Sequence, residues 1–217
     1  PSHWLAAQVR QSFLNKYRVE TIYNGIDLDV FRPTPGDFRD KYHLADSRII
    51  LGVASVWDKR KGLDDFIRLS EIIKDSDKIV LVGLNKKQLK KIPLSIIGIE
   101  RTNSISELAE IYSASDIFVN ASVEETMGLT TAEALACGTP VITYNRTAVP
   151  EVADPTCGII VDCSPQYIKN ALDDCDFSSD ACVKRASEFE KNNQYLKYLD
   201  LYEGILKEKN ISGDSIG

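Results

Sequence analysis

Residues 116–144, DIFVNASVEETMGLTTAEALACGTPVITY, have the pattern of a strand, a loop, a helix and a second strand. The apolar run Ile117–Val119 is typical of a short strand, and the small residues around Ala134 are typical of a closely packed helix. Gly138 and Pro140 then end the helix, because glycine is favoured just past a helix and proline cannot continue one. This unit predicts a parallel sheet, whose loops gather at the carboxyl ends of the strands, where ligands bind.

Two carboxylates lie in this unit, Glu125 in the loop and Glu133 in the helix, eight positions apart. The segment ETMGLTTAEALACGTPVI resembles the E-x₇-E signature of retaining, nucleotide-sugar-dependent glycosyltransferases of family four, which have the two-domain GT-B architecture. The resemblance implies that Glu133 accepts hydrogen bonds from ribose hydroxyls and that Glu125 is the catalytic residue, holding the sugar near its reacting carbon. The alternative is that Glu133 only favours the positive end of a helix dipole and that Glu125 is solvated.

Other segments match the same family in the same order. PSHWL at residues 1–5 is similar to a helix that the family places at the junction of its two domains. NGID at residues 24–27, followed by Phe31, is similar to a second family hallmark. Asn-Gly is a turn signal on physical grounds alone, so its functional weight comes from the neighbouring motifs.

A basic turn, Lys59–Lys61, follows the predicted strand Arg48–Val56. Cations at a strand-to-helix turn can stabilise the charge that develops on a diphosphate leaving group. The family usually has an arginine about five residues before the lysine of its KG pair, where this chain has Val56. Lys61 therefore corresponds to the family lysine by position, and Arg60 is inferred from its charge. The alternative is a solvated basic patch.

Two further substrate-binding regions are implied by the resemblance. The loop Glu100–Asn103 lies where the family receives the nucleobase, and Arg101 could stack on a base. A surface arginine without a partner is the equal alternative. The backbone amides of Gly128, Leu129 and Thr130, at a helix N-terminus, are expected to bind diphosphate or sugar oxygens.

The loop 145–151 departs from the family. Family members often carry two glycines before the Pro-Glu pair of this loop, and this chain has neither. Arg146 and Thr147 are therefore expected to form a different wall, and the sequence does not decide whether that wall contacts substrate.

Composition restricts the protein class. The chain has 217 residues, 43% of them hydrophobic, and a net charge of −6, which argues against non-specific attraction to nucleic acid. No apolar run approaches the roughly 20 residues needed to span a bilayer. Five cysteines without a C-x-x-C pair indicate reduced thiols in the cytoplasm. We expect no metal site, and the first residue, Pro1, suggests a piece excised from a longer protein.

The alternation of strands and helices predicts an α/β fold, a Rossmann-like three-layer α/β/α domain with a mostly parallel sheet of five to six strands. The resemblance identifies it as the C-terminal half of a GT-B fold. We expect an interdomain helix at 1–18, a nucleotide-sugar-binding Rossmann-like domain at 19–192 that opens with a strand at Val19–Tyr23, and a C-terminal crossover helix with a disordered tail at 193–217.

The last predicted helix, QYLKYLDLYEGILK, has an apolar face. Its members are Tyr195, Leu199, Tyr202 and Leu206. Core packing is the favoured interpretation. In the resembled fold the C-terminal helix packs back across the junction between domains.

These patterns give the following functional hypothesis. The chain is the donor-binding domain of a retaining glycosyltransferase that moves a hexose from a nucleoside-diphosphate sugar to a glycan or lipid-linked acceptor, in surface polysaccharide synthesis. No cofactor is expected, and the fragment alone is expected to be inactive because the acceptor domain is missing. We expect a cytoplasmic protein that reaches the inner face of the membrane only through the missing domain.

Two alternatives stay open. One is a non-catalytic nucleotide-binding subunit or scaffold that needs a partner chain. The other is a phosphorylase or a sugar-nucleotide epimerase on the same architecture.

Overall fold

The computed structural model describes residues 1–213, with side chains through residue 208. Within this range the chain alternates between strands and helices. The strands are β1 (Arg48–Val53), β2 (Asp77–Val82), β3 (Ile96–Ile99), β4 (Ile117–Asn120), β5 (Val141–Tyr144) and β6 (Gly158–Val161). The helices are α1 (His3–Arg10), α2 (Phe38–Lys41), α3 (Leu63–Ser70), α4 (Lys86–Leu89), α5 (Ile105–Ala114), α6 (Leu129–Ala136), α7 (Pro165–Ala171), α8 (Ser179–Ala186) and α9 (Lys191–Gly213).

The six strands form one sheet in the order β3-β2-β1-β4-β5-β6. Every pairing between them is parallel. This is the strand order of a Rossmann fold. Successive strands are added towards one edge of the sheet from β1 to β3 and towards the other edge from β4 to β6, so the order switches between β1 and β4. The Rossmann-like α/β prediction is confirmed, and the carboxyl ends of β1 and β4 mark the crevice where such sheets bind ligands.

Helices cover both faces of the sheet. On one face Leu51 of β1 packs in a cluster with residues of α5, α6 and α8. On the other face Ile50 packs with residues of α3 and α7. Both strand residues are fully buried, as expected for a parallel sheet with two covered faces. The predicted three-layer arrangement is therefore confirmed.

The strand predicted at Val19–Tyr23 is wrong, because this segment joins no sheet. It leads to a single bridge, in which the backbone of Ile26 pairs with Glu190. The N–H of Ile26 donates to the carbonyl of Phe189 at 2.8 Å, and the N–H of Lys191 donates to the carbonyl of Ile26 at 3.0 Å. The chain after this segment therefore pairs with the residues at the start of α9 and not with a strand of the sheet.

The core packing predicted for the last helix is also wrong. Its four predicted core residues are between 55% and 60% exposed, namely Tyr195, Leu199, Tyr202 and Leu206. The physical reason is that the helices of the two core clusters already cover both faces of the sheet, and no described residue of α9 belongs to either cluster. α9 continues through Gly213, and the remainder of the predicted disordered tail lies outside the described residues.

Candidate functional site

Three loops meet at the carboxyl ends of β1, β4 and β5: the turn Lys59–Lys61, the loop 121–128 and the loop 145–151. The first two touch directly, because the N–H of Val123 donates to the carbonyl of Arg60 at 2.8 Å. A Cβ added to Gly62 would lie 2.5 Å from the carbonyl oxygen of Ala121, so glycine is what permits this approach. The sheet thereby brings the basic turn against the loop that carries Glu125.

Lys61 and Glu125 form an ion pair between Nζ and Oε1. The same carboxylate oxygen accepts a hydrogen bond from the hydroxyl of Ser122 at 3.2 Å. The Glu125 side chain is 16% exposed and the Lys61 side chain 31% exposed, so the pair is partly shielded from water. The predicted cation and the predicted catalytic carboxylate therefore lie in contact.

This pair lines a cavity of about 480 Å³. The other lining residues are Trp4, Arg60, Glu124, Thr126 and Thr147. Trp4 belongs to α1, so the N-terminal helix supplies part of the cavity wall.

Arg60 lines the cavity, but its guanidinium is also hydrogen-bonded to the carboxylate of Asp58. Its Nη2 lies 2.8 Å from Oδ2 of Asp58, and its side chain is 65% exposed. Asp58 also caps the basic turn through the N–H groups of Arg60 and Lys61. The guanidinium hydrogen bond lowers the pKa of Asp58. Arg60 lines the cavity while its Nε and Nη2 donate to Asp58, so Nη1 is the guanidinium nitrogen left to meet an anion. Val56, at the family's arginine position, is 66% exposed and carries no charge.

The N-terminus of α6 lies open at this edge of the sheet. Gly128 precedes it with φ of +89°, and no side chain within the described part of the chain caps it. The first N–H groups of a helix have no partner within the helix, so those of Leu129 and Thr130 can donate to an anion. Asn120 braces the entry, since its amide donates to the Thr131 hydroxyl at 3.0 Å and its carbonyl oxygen accepts from the N–H of Ser122 at 3.0 Å.

Glu133 lies in α6 and is partly buried. Its Oε2 accepts a hydrogen bond from the hydroxyl of Tyr112, on α5, at 3.0 Å. Burial raises the pKa of Glu133, and the tyrosine hydrogen bond opposes that rise in part. Burial also raises the pKa of Tyr112 well above its ordinary value. Helical periodicity marks Tyr112 as a buried residue of α5 but does not show which way its hydroxyl points.

Glu133 lines a second cavity, of about 680 Å³. The walls of this second cavity are formed by the ends of β1 and β2, the loop Glu100–Ser104 and the first turns of α5 and α6. Arg101 lies in that loop and is exposed, and Thr130 reaches the same cavity from α6. Thr126 lines the first cavity and Thr130 the second, so Gly128 and Leu129 lie between the two cavities along the chain.

Glu151 is a functional candidate that the sequence prediction missed. Its carboxylate accepts hydrogen bonds from the backbone N–H groups of His3 at 2.8 Å and Trp4 at 2.6 Å. It also accepts one from the hydroxyl of Tyr23 at 2.9 Å. Burial, together with this hydrogen bond, raises the pKa of Tyr23 to about 12. The Pro-Glu pair was the available signal, and the structure shows that its carboxylate caps the first turn of α1 beside the cavity.

Residues 1–213 contain no helix with the length and hydropathy of a membrane span. Among residues 1–208, whose side chains the structure describes, no group of three His, Cys, Asp or Glu side chains is arranged to hold a metal ion.

Residues 47–175 match the protein family described as glycosyl transferases group 1. The match covers more than half of the chain, and the chain therefore belongs to this family. The resemblance seen in the E-x₇-E segment is thus confirmed.

Curated relatives carry glycosyltransferase names. The D-inositol 3-phosphate glycosyltransferase of Mycobacteroides abscessus is 30% identical over 161 residues, which cover 66% of this chain and 35% of that protein. The O-antigen biosynthesis glycosyltransferase WclY of Escherichia coli is 30% identical over 152 residues, covering 67% of this chain and 42% of WclY. The chain thus spans well under half the length of these relatives.

Solved structures share the fold. Sucrose-phosphate synthase from Thermosynechococcus elongatus superposes with a TM-score of 0.80 at 23% identity, covering 95% of this chain and 57% of that one. Anabaena Alr3699/HepE, solved in complex with UDP-glucose, superposes with a TM-score of 0.72 at 17% identity, covering 85% of this chain and 57% of that one.

Proposed function

We propose that this chain is the donor-binding domain of a retaining glycosyltransferase and binds a nucleoside-diphosphate sugar across the two cavities. One observation carries the proposal: the two glutamates of the E-x₇-E segment line different cavities, Glu125 the smaller and Glu133 the larger. The open N-terminus of α6 lies between them along the chain. A ligand with a sugar at one end, a nucleoside at the other and a diphosphate in the middle fits this order of groups.

The nucleoside belongs in the larger cavity. The hydroxyl of Tyr112 donates a hydrogen bond to Oε2 of Glu133. Oε1 is left to accept hydrogen bonds from ribose hydroxyls. Arg101, exposed at the edge of that cavity, is available to stack on the base. Uracil is the first base to test, because the Anabaena structure contains UDP-glucose.

The diphosphate belongs at the N-terminus of α6. Backbone amides at Gly128, Leu129 and Thr130 supply donors and the positive end of the helix dipole. Lys61 supplies a full positive charge from the basic turn, and Arg60, which lines the same cavity, adds a second. Such preoriented groups stabilise the negative charge that develops on a diphosphate as the glycosidic bond breaks.

The sugar belongs against Glu125 in the smaller cavity. A carboxylate there can accept hydrogen bonds from sugar hydroxyls and stabilise positive charge developing at the reacting carbon. In this proposal a second domain supplies the acceptor site, which agrees with the chain's limited share of its relatives' length. The isolated chain is then expected to bind donor weakly and to transfer no sugar.

We extend the proposal to the cellular role. A surface polysaccharide is the proposed product, supported by the name of the Escherichia coli relative. The five free cysteines support a cytoplasmic location, and the second domain is the proposed contact with the inner face of the membrane. No metal ion is required in this scheme, because Lys61 and the helix amides already compensate the diphosphate. EDTA should therefore leave UDP affinity unchanged.

Calorimetry with UDP and uridine tests the site. Lys61→Ala should weaken UDP binding roughly tenfold, equivalent to about 1.4 kcal/mol, and leave uridine unaffected, because only UDP presents the diphosphate. Arg60→Ala should show the same selectivity to an equal or smaller degree. Lys59→Ala is the matched control: its side chain is exposed in the same turn and does not line the smaller cavity. Equal UDP affinity in all three variants and the parent would reduce the basic turn to a solvated patch.

A further inference from the structure

Thr147 has a backbone conformation that is unfavourable for its residue type. Its φ is +48°, and the other non-glycine residue of the described chain with positive φ is His43. A β-branched side chain is especially crowded in this left-handed region. Thr147 is therefore a strained residue, and it lines the smaller cavity together with Glu125 and Lys61.

The hydroxyl of Thr147 makes a specific contact across the site. Its Oγ1 accepts a hydrogen bond from the backbone N–H of Glu125 at 3.0 Å. The next residue, Ala148, donates its N–H to the carbonyl of Glu125 at 3.4 Å. The loop 145–151 thus forms hydrogen bonds with both the backbone N–H and the backbone carbonyl of Glu125.

This engagement matters because no regular secondary structure fixes Glu125. It lies between the end of β4 at Asn120 and the start of α6 at Leu129. Its side-chain contacts, with Lys61 and Ser122, bind the carboxylate that a sugar would have to reach. The backbone contacts from Thr147 and Ala148 leave the carboxylate itself available.

We propose that Thr147 is a positioning residue, whose hydroxyl fixes the backbone of Glu125 and so aims its carboxylate at the donor sugar. This inference rests on the proposed function. Glycine would adopt the same φ without strain, but it has no hydroxyl to accept the Glu125 N–H. The strain at Thr147 persists because the surrounding contacts hold it, as is common at functional sites.

Three variants separate the effect of the Thr147 hydroxyl from the effect of the backbone strain at this position. Thr147→Ser keeps the hydroxyl, Thr147→Gly removes both the hydroxyl and the strain, and Thr147→Val removes the hydroxyl alone. The glycine variant should fold, because relief of strain offsets the lost hydrogen bond. The valine variant keeps the strain, so an effect that it shares with the glycine variant comes from the lost hydroxyl. If the valine variant is unstable, the glycine and serine variants still give the comparison.

The first measurement is amide hydrogen exchange at Glu125 without ligand. The Glu125 amide should exchange slowly in the parent and in Thr147→Ser, and faster in Thr147→Gly. Because no sugar is present, a direct contact between Thr147 and a ligand cannot produce this difference. An equal exchange rate of the Glu125 amide in all variants would overturn the proposal that the Thr147 hydroxyl fixes the backbone of Glu125.

The second measurement is the affinity for UDP-glucose relative to UDP. Thr147→Gly should weaken UDP-glucose roughly threefold to tenfold and change UDP by less than about twofold, the size expected for one hydrogen bond. Serine should restore the parent ratio. A ratio unchanged in Thr147→Gly would show that the hydrogen bond does not aim the carboxylate. If the parent binds neither nucleotide, the proposed function fails, while the exchange measurement still decides whether Thr147 holds Glu125.

Discussion

Helices α6 and α9 show opposite relations between side-chain size and burial. α6 consists largely of small residues, and Ala132, Ala134, Leu135 and Ala136 are buried. α9 carries large apolar residues, yet Leu199 is 55% exposed. Small side chains allow α6 to pack closely against β4, β5 and α8. The difference teaches that hydrophobic residues predict burial only where the fold leaves a surface to cover them.

Removing matched leucines should give the largest difference between the two helices. Leu135→Ala empties a fully buried site in α6 and should lower the free energy of unfolding by about 2–5 kcal/mol. Leu199→Ala in α9 should change it by less than about 0.5 kcal/mol, since that side chain is mainly solvated. Urea denaturation measures both. A similar loss in the two variants would mean that α9 packs against the domain in solution.

The charged side chain of α6 should matter more for ligand than for fold. Glu133→Gln removes the charge that strengthens a hydrogen bond to ribose, so UDP affinity should fall roughly tenfold, about 1.4 kcal/mol. Glu203→Gln is the control on α9, because Glu203 is exposed there. Calorimetry should find UDP affinity unchanged in that control. An unaltered affinity in Glu133→Gln would favour a helix-dipole role for Glu133.

The same variant should alter how stability depends on pH. Burial raises the folded-state pKa of Glu133 above its ordinary value of 4.5, so folding favours the protonated form. The parent's stability relative to Glu133→Gln is therefore greatest below pH 4.5 and is lost as pH rises through the raised pKa. Thermal melts between pH 4 and 8 should show the melting temperature of Glu133→Gln rising relative to that of the parent as the pH increases. A constant difference would indicate a carboxyl that is better solvated than its burial implies.

Polar replacement of the α9 face should have a small effect on stability at each site. Glutamine at Tyr195, Leu199, Tyr202 and Leu206 keeps helix propensity, and each site should contribute less than about 0.5 kcal/mol. The variant should also bind less of a hydrophobic dye than the parent does, because large exposed apolar patches attract apolar ligands. A clear loss of stability would show that this face is covered within the chain.

The sequence predicted most of the fold because strand and helix periodicities are local. β4 contains the predicted run Ile117–Val119, and β1 is only shorter than the predicted run Arg48–Val56. The strand at Val19–Tyr23 failed because pairing depends on a neighbour that a local pattern cannot show. The face of α9 failed for the same reason, since its burial depends on what else covers the sheet.

The site was predictable where a motif names residues and unpredictable where tertiary contacts select them. The E-x₇-E segment led to Glu125 and Glu133, and the basic turn led to Lys61. Nothing local indicated that Lys61 would pair with Glu125, which lies 64 positions further along the chain. The carboxylate of Glu151 was equally hidden, because its partners lie about 150 positions earlier in the chain, at α1.

The contact between Lys61 and Glu125 has a consequence for the speed of ligand capture. Each side chain already has the other as its counter-ion, so the pair presents little net field to an approaching anion. In the proposed complex, binding is an exchange of partners: the diphosphate takes the ammonium, and the sugar hydroxyls take the carboxylate. Long-range electrostatic steering then contributes little, and the association rate is expected to depend only weakly on ionic strength. The resting pair also keeps a buried carboxylate from standing uncompensated before a donor arrives, which would otherwise be costly to the fold.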